Sequence, residues 1–259
     1  MTESVCLEKR DDRIAILTLN RPEALNAIDR AMVGELRRAI ADIEADADID
    51  IMIMAGAQAF CVGVDLKERQ ELSDEEAQAF RLAELFPMYE ELERRHKPAI
   101  AAVNGHCLAG GLEIALCCDM ILATEGSRFG LPEVKWGLIP AAGGCHKLVR
   151  LIGRGRASEM IMTAEPISAQ TADRIGLINR IVAADALMDE ALNLARNILV
   201  NSQAAVRRAR LCIDNALDFE RARVFDIAMS NEGYAATDRK EGIARFGAAQ
   251  SMTGTGQKL

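Results

Sequence analysis

Aromatic residues are scarce in this sequence and make up 4% of the chain. Proteins built only of strands draw heavily on aromatic and β-branched side chains, so this scarcity disfavours an all-β sandwich. The hydrophobic half of the chain is mostly alanine, isoleucine, leucine and methionine, a mixture that favours helices packed against a sheet. The length of 259 residues suits one large domain, or one domain with an appendage.

Excess positive charge is also missing. The chain has 31 Lys and Arg residues against 39 Asp and Glu residues, for a formal net charge of −8. Nucleic-acid binding normally needs a basic face, and the sequence has no extended cluster of Lys and Arg. We therefore expect no nucleic-acid partner, although a local basic spot for a phosphate group is compatible with this composition.

Long apolar runs and paired-cysteine motifs are absent as well. No apolar run reaches the roughly 18 residues of a membrane span, and no signal peptide is evident, so we expect no membrane partner and a cytoplasmic location. The seven cysteines form no C-x-x-C pair, and Cys117 and Cys118 are adjacent. This pattern is typical of reduced thiols.

Two kinds of cofactor site find no support in the sequence. The three histidines, His96, His106 and His146, do not share the spacing of metal ligands, so we expect no metal. The dinucleotide fingerprint G-x-G-x-x-G is also missing, because "GRGRAS" ends at Ser158 and "LAGGLEI" lacks the spacing. A nicotinamide-dependent oxidoreductase is therefore disfavoured.

Short apolar runs alternate with helical patterns through about the first 183 residues, which indicates an α/β body. "SVCLEK", "RIAILTL", "IDIMIMAG", "KPAIAAVNG" and "LINRIV" are predicted strands. A helix is predicted from Asp29, with apolar residues at helical spacing. Pro87 is expected to kink or break a later helix. From Asp185 onward the pattern is helical, with a frayed tail predicted over residues 251–259.

The stretch "HCLAGGLEIALCCDMI" places one acid, Glu113, among small and apolar residues. Burying an unpaired carboxylate costs several kcal/mol, so such groups are usually partnered, protonated or functional. Gly110 and Gly111 precede it and open a predicted helix, whose first backbone amides could hold a phosphate or a developing oxyanion. Close helix packing after a tight turn explains the glycine pair equally well.

Two further stretches could contribute to the same site. In "FCVGVDLKE", Gly63 lies in a loop entering a helix, so the amides of Val64 and Asp65 could face a ligand; a helix cap at Asp65 is the simpler explanation. In "FGLPEVKWGLIPAAGG", Glu133 follows Pro132, where an exposed first-turn residue is usual. Together, two carboxylates and two oxyanion-capable loops match the needs of acyl-thioester chemistry.

With these pieces in view, the chain resembles the enoyl-CoA hydratase/isomerase, or crotonase, superfamily. The resemblance is carried, in order and spacing, by "NRPEALNAI", "FCVGVDLKE", "KPAIAAVNGHCLAGGLEIALCCD", "FGLPEVKWGLIPAAGG", "ISAQTADRIGLINRIV" and "DRKEG". It implies an α/β fold, a crotonase-type spiral of ββα repeats over residues 1–195 followed by a helical oligomerisation region over residues 196–259. It also implies self-association as a homotrimer, or as a hexamer made of two trimers.

The resemblance implies a role for each matching residue. Val64 and Gly110 would form the oxyanion hole, Glu113 would activate the water that adds at C3, and Glu133 would deliver the proton at C2. An acyl-CoA thioester is the implied substrate, with coenzyme A as part of it and no separate cofactor. Its CoA portion would be bound by Ala24, Ala27, Ile28, Asp65, Leu66, Lys67 and Gly111.

The implied activity is that of an enoyl-CoA hydratase, a hydro-lyase of fatty acid metabolism. The alternatives are an enoyl-CoA isomerase, which in this superfamily commonly lacks a counterpart of Glu113, and a specialised dehydratase of the crotonobetainyl-CoA type. A non-catalytic scaffold is a further alternative. The sequence departs from the family pattern at Ala109, which replaces the first of three glycines. It also departs at Val64, Cys145 and His146. These departures affect the expected acyl group of the substrate more than the expected reaction.

Overall fold

The computed structural model describes residues 3–214 together with Asn231, Lys240, Ile243, Ala244 and Ala248. Its strands are β1 (Val5–Lys9), β2 (Ile14–Leu19), β3 (Ile51–Gly56), β4 (Ala99–Val103), β5 (His106–Leu108), β6 (Met120–Thr124), β7 (Arg128–Gly130), β8 (Ile167–Ser168) and β9 (Arg180–Val182). Its α-helices are α1 (Arg30–Ala45), α2 (Leu66–Glu71), α3 (Asp74–Phe80), α4 (Phe86–Arg94), α5 (Gly110–Cys117), α6 (Gly144–Thr163), α7 (Ala169–Arg174), α8 (Leu187–Leu199) and α9 (Gln203–Asp214).

The strands form two sheets. The large sheet has the order β1-β2-β3-β4-β6-β9, in which β1 is antiparallel to β2 and the other pairs are parallel. The small sheet has the order β5-β7-β8, and Cys61 extends it through a parallel bridge to Cys107. The chain therefore repeats one unit: a strand of the large sheet, a strand of the small sheet, then a helix. The predicted α/β fold of ββα repeats is confirmed.

Alternate side chains of the large sheet enter different cores because successive residues of a strand face opposite sides. In β3, Met52 and Met54 join the core that includes α1, α4 and α5, whereas Ile51 and Ile53 join the core under α8. Both sets are at most 1% exposed. The prediction that "IDIMIMAG" is a strand buried on both faces is thus confirmed, as expected for a parallel sheet covered by helices.

Several helix boundaries follow directly from local chemistry. The Asp29 side chain caps α1 by accepting from the amide of Met32. Helix α6 is interrupted at Gly153, where φ is 78° and ψ is 157°, so it consists of two helices. Pro87 lies in the first turn of α4, directly after a π-helical turn at Arg81–Leu85. The amide of Phe86 donates to the carbonyl oxygen of Arg81. The next residue is Pro87, which has no N–H to donate, so the helical path continues up to the proline.

The predicted division after residue 195 falls inside α8, whose Ala191 and Ala195 are buried in the core under the large sheet. No comparison tests that division, and it stays a prediction. The frayed tail predicted over residues 251–259 lies outside the described residues, as does the "DRKEG" stretch apart from Lys240. Among the residues that the structure describes, no helix combines the length and apolar character needed to cross a bilayer.

Candidate active site

Glu113 lies in the first turn of α5 and is 5% exposed. Its Oε1 atom accepts hydrogen bonds from the amides of Ala142, at 2.7 Å, and Gly144, at 2.9 Å. Both amides belong to the turn that opens α6. Charge-assisted hydrogen bonds from backbone amides offset the cost of removing a carboxylate from water, so the acid that the sequence places among apolar residues is held in one orientation.

Glu133 lies in a short 3₁₀ helix at Pro132–Trp136, directly after Pro132. Glu133 as a whole is half-buried. Its Oε2 atom, however, is buried and has no hydrogen-bond partner in the described part of the chain. Burial and, secondly, the negative charge of Glu113 raise the pKa of Glu133 well above its usual value. The exposed first-turn position that the local sequence favours is therefore not observed; the two carboxyl groups are electrostatic neighbours.

Two backbone amides lie where the loop before α2 meets the start of α5. A Cβ added at Gly63, whose φ is +98°, would lie 3.1 Å from the amide nitrogen of Gly110, so the loops touch. Within the described residues, the N–H groups of Val64 and Gly110 donate to no other group. Both predicted oxyanion-hole donors thus come from adjoining segments and have unsatisfied N–H groups, as a helix N-terminus allows.

The interpretation that the Asp65 amide also faces a ligand is wrong. That amide donates to the carbonyl oxygen of Ile28 at 2.9 Å, while the amide of Ile28 donates to Gly63 at 2.8 Å. The Asp65 side chain caps α2 by accepting from the amides of Lys67 and Glu68. The simpler explanation, a helix cap, is confirmed, and Ile28 holds the loop in place.

The glycine pair is required by close neighbours. A Cβ at Gly110 would lie 2.5 Å from the hydroxyl oxygen of Tyr89, and one at Gly111 would lie 2.3 Å from the carbonyl oxygen of Cys61. The Tyr89 hydroxyl donates to the Gly110 carbonyl at 2.9 Å. Burial, followed by the charge of Glu113, raises the pKa of Tyr89 well above its usual value. Sequence reasoning did not identify Tyr89, because its position on α4 has no local signal of function.

A second residue that sequence reasoning missed is Asn26, which is fully buried at φ +58°. Its side-chain amide donates to the carbonyls of Ala57, Ala59 and Phe60, and its side-chain oxygen accepts from the amide of Arg21. This one side chain therefore fixes the segment that leads from β3 to Gly63. The only sequence signal was an Asn within "PEALNAI".

The residues predicted to bind CoA occupy two adjoining loops, and their contact with CoA stays a prediction. Ala27 and Ile28 are buried, Ala24 and Leu66 are half-buried, and Lys67 is exposed. Asp65 pairs with Arg21 at 3.1 Å. Lys67 is the predicted CoA residue whose charged group has no ion-pair partner in the described part of the chain, which leaves it available to a phosphate group.

A small cavity of about 20 Å³ lies between α4 and the turn that holds Glu113, with room for about one water molecule. It is lined by Phe86, Tyr89, Glu90, Glu93, Ala141, Ala142 and His146. Ala142 connects this cavity to Glu113 through the hydrogen bond described above. Within the described residues, no cluster of three His, Cys, Asp or Glu side chains could hold a metal ion. The seven cysteines carry thiols and are not joined by disulfides.

Comparison with known proteins gives a consistent result. The family model described as enoyl-CoA hydratase/isomerase matches residues 9–251. A probable enoyl-CoA hydratase of Mycobacterium tuberculosis is 37% identical over 249 residues, covering 95% of this chain and 96% of that protein. A crystal structure of enoyl-CoA hydratase from Bacillus anthracis has a TM-score of 0.80 at 34% identity, covering 95% of this chain and 96% of that one. A carnitinyl-CoA hydratase from Mycobacterium avium has a TM-score of 0.84 at 32% identity, with 96% and 97% covered.

Proposed function

The chain belongs to the enoyl-CoA hydratase/isomerase family, and from that premise we propose that it is an enoyl-CoA hydratase. It adds water across the C2=C3 double bond of a 2-enoyl-CoA thioester and gives a 3-hydroxyacyl-CoA. The observation that carries the proposal is the pair of neighbouring carboxyl groups. Glu113 is held by two amides, and Glu133 presents a buried oxygen that has no partner among the described residues.

The amides of Val64 and Gly110 bind the thioester carbonyl oxygen. Addition of water at C3 moves negative charge onto that oxygen, and both the amides and the positive end of α5 stabilise it. Removing one such donor typically costs about 3 kcal/mol of transition-state stabilisation. Gly111 would contribute to the substrate site through its backbone, because the space that its side chain would need is filled by Cys61.

The two glutamates divide the proton transfers. Glu113 orients a water molecule, and as the water oxygen bonds to C3 a proton passes to the carboxylate. Glu133, whose raised pKa favours the protonated form at neutral pH, delivers its proton to C2. The proton gained by Glu113 and the one lost by Glu133 balance, so the net change is the addition of one water molecule.

The family resemblance further supports a homotrimer or a hexamer of two trimers, and no cofactor apart from the CoA of the substrate. A cytoplasmic location is part of the same proposal. Ala24, Ala27, Ile28, Asp65, Leu66 and Lys67 would contact the CoA portion. Lys67, as the exposed cation of this set, would contact a CoA phosphate. Sedimentation of the purified protein and its titration with CoA would test these points separately from the reaction.

The direct test is hydration of crotonyl-CoA, followed as loss of the enoyl-thioester absorbance. Wild-type protein should remove this absorbance, and Glu113→Gln should lower kcat at least about 100-fold, because the amide cannot accept the water proton. Glu75→Gln, an exposed glutamate on α3, is the matched control and should keep wild-type activity. A wild-type rate in Glu113→Gln would contradict the role of Glu113.

Product analysis separates the rival activities of the same family. Incubation with 2-enoyl and 3-enoyl thioesters should give hydration of the former; interconversion of the two without a hydroxyl product would instead identify an isomerase. Carnitinyl-CoA should be included, because two similar structures carry carnitinyl-CoA hydratase or dehydratase names. Inactivity over all chain lengths, with intact assembly, would favour a non-catalytic protein.

A further inference from the structure

A buried lysine lies directly behind the turn that holds Glu113. The side chain of Lys147 is 8% exposed, and its ammonium lies 3.1 Å from the Oε2 atom of Glu93 and 2.9 Å from the Sγ atom of Cys117. Burial alone would lower the pKa of Lys147, but Cys117 and Glu93 outweigh it and the pKa is raised. Burial also raises the pKa of Cys117. The cluster is therefore a charged ammonium beside a carboxylate and a neutral thiol.

The stem of Lys147 supports the turn itself. Its backbone amide donates to the Gly143 carbonyl at 2.9 Å. A Cβ added at Gly143, whose φ is +127°, would lie 3.0 Å from both Cδ and Cε of Lys147. The next residue, Gly144, donates its amide to Glu113. The lysine thus joins three elements, α4 through Glu93, α5 through Cys117, and the start of α6, at the point where Glu113 is held.

Without the ammonium of Lys147, the Glu93 carboxylate would add negative charge near the two proposed catalytic glutamates. It lines the small cavity together with Ala142, whose amide binds Glu113. The titratable groups that face this position are Tyr89 and Glu90 from α4, Glu113 and Cys117 from α5, and His146 from α6. Arg95 lies beyond Cys117, and Glu133 lies beyond Glu113. The ammonium of Lys147 contacts the Glu93 carboxylate, whereas the guanidinium of Arg210 from α9 donates to the Glu93 backbone carbonyl at 3.0 Å and pairs with Asp119 and Asp214.

We propose that Lys147 is a positioning residue for the hydration reaction: its ammonium neutralises Glu93 while its stem holds the Ala142–Gly144 turn against Glu113. The inference rests on the proposed hydratase activity. It makes a signed prediction, because removing the ammonium adds net negative charge near the two glutamates, whereas removing the Glu93 carboxylate adds net positive charge there. The ionised glutamate that activates water is disfavoured by an added negative charge and favoured by an added positive charge.

The test compares Lys147→Met, which keeps most of the stem but removes the charge, with Glu93→Gln and with the double variant. In Lys147→Met, kcat should fall at least about tenfold with KM changed less than about threefold, because the loss of the ammonium removes its contacts with α4 and α5 and alters the charge near the two glutamates, which acts on chemistry more than on CoA binding. The acid limb of the kcat/KM profile should move to higher pH by about half a unit to one unit in Lys147→Met, and to lower pH in Glu93→Gln. The double variant should return the limb to the wild-type position.

Lys147→Arg should restore part of kcat, and Lys9→Met, which removes an exposed lysine paired with Asp46, should behave as wild type. Active-site titration corrects each rate for the folded fraction. The proposal is overturned if Lys147→Met keeps kcat within about twofold of wild type. It is equally overturned if the acid limb does not move, or moves the same way in both single variants. If Lys147→Met does not fold, Glu93→Gln and Lys147→Arg still test the direction of the shift. An inactive wild type would contradict the proposed function instead.

Discussion

Ala109 holds a backbone conformation that glycine adopts more easily. Its φ is 49° and its ψ is −130° at the N-cap of α5, a region in which a Cβ is strained by about 1–3 kcal/mol. This position is the first of the three where the family often has glycine, so the sequence departure and the strain coincide. The strain lies one residue before Gly110, whose amide we assign to the oxyanion hole.

Ala109→Gly should therefore raise the free energy of unfolding by about 1 kcal/mol, because relief of strain exceeds the added entropy of the unfolded chain. Urea denaturation of both proteins at one concentration measures the change. The matched control is Ala205→Gly, an exposed position inside α9, which should lower the same quantity by about 1 kcal/mol. A loss of stability in Ala109→Gly equal to that control would show that position 109 is not strained.

At the scale of elements, the loop after β2 and the loop before α2 are held together by the buried side chain of Asn26. Asn26→Ala leaves three carbonyls without their donor and should lower the free energy of unfolding by about 3 kcal/mol. It should also lower kcat, because the segment it fixes leads to Gly63 and Val64. Chemical denaturation and crotonyl-CoA kinetics measure the two effects. Asn20→Ala, which loses one exposed bond to Glu3, should change both by little, and equal effects of the two variants would contradict this role.

The elements that sequence patterns predict well are those whose signal is local. The buried strand β3 and the helix that starts after Asp29 both depend on residues a few positions apart, and the structure confirms them. At Pro87 the sequence predicts a kink or a break, whereas the structure has a π turn that continues directly into α4. That turn has no local signal, because the hydrogen-bond register of a helix depends on what it packs against.

The site shows the same limit more strongly. The sequence singles out Glu113 as an acid among apolar residues, whereas Glu133 gains interest only in combination with it and the two loops. The family resemblance supplies their roles. The partners that give them their properties, namely Ala142 and Gly144 for Glu113, Tyr89 for Gly110 and Lys147 for Glu93, come from separate elements. Contacts between distant segments arise only from the fold, so no window of sequence contains them.

At the scale of the whole molecule, the ββα repeat explains why distant segments meet. Each unit passes from the large sheet to the small sheet and ends in a helix, so Cys61 and Cys107 become parallel neighbours. The residues that follow them, Gly63 and Gly110, are then brought into contact. The two amides of the proposed oxyanion hole are therefore products of one structural repeat used twice.

The stability of the whole molecule should also depend on pH through Glu133. Its pKa is raised in the folded state by burial and by Glu113, whereas the unfolded chain has a value of about 4.3. Folding is unaffected by this group below the unfolded pKa, and stability is lost as pH rises through the folded pKa. Glu133→Gln should remove that loss, so it should be more stable than wild type at pH 8 while nearly abolishing hydration.

The difference between Glu133→Gln and wild type should shrink as the pH is lowered below the unfolded pKa of about 4.3, because the Glu133 carboxyl group is then protonated in the folded and the unfolded state alike. Urea denaturation at several pH values and at fixed protein concentration measures it. Glu75→Gln, at an exposed position, should give a small difference that does not follow this pattern. A Glu133→Gln protein that is less stable than wild type at pH 8, or whose advantage grows on acidification, would show that the Glu133 carboxyl group does not oppose folding in its ionised form.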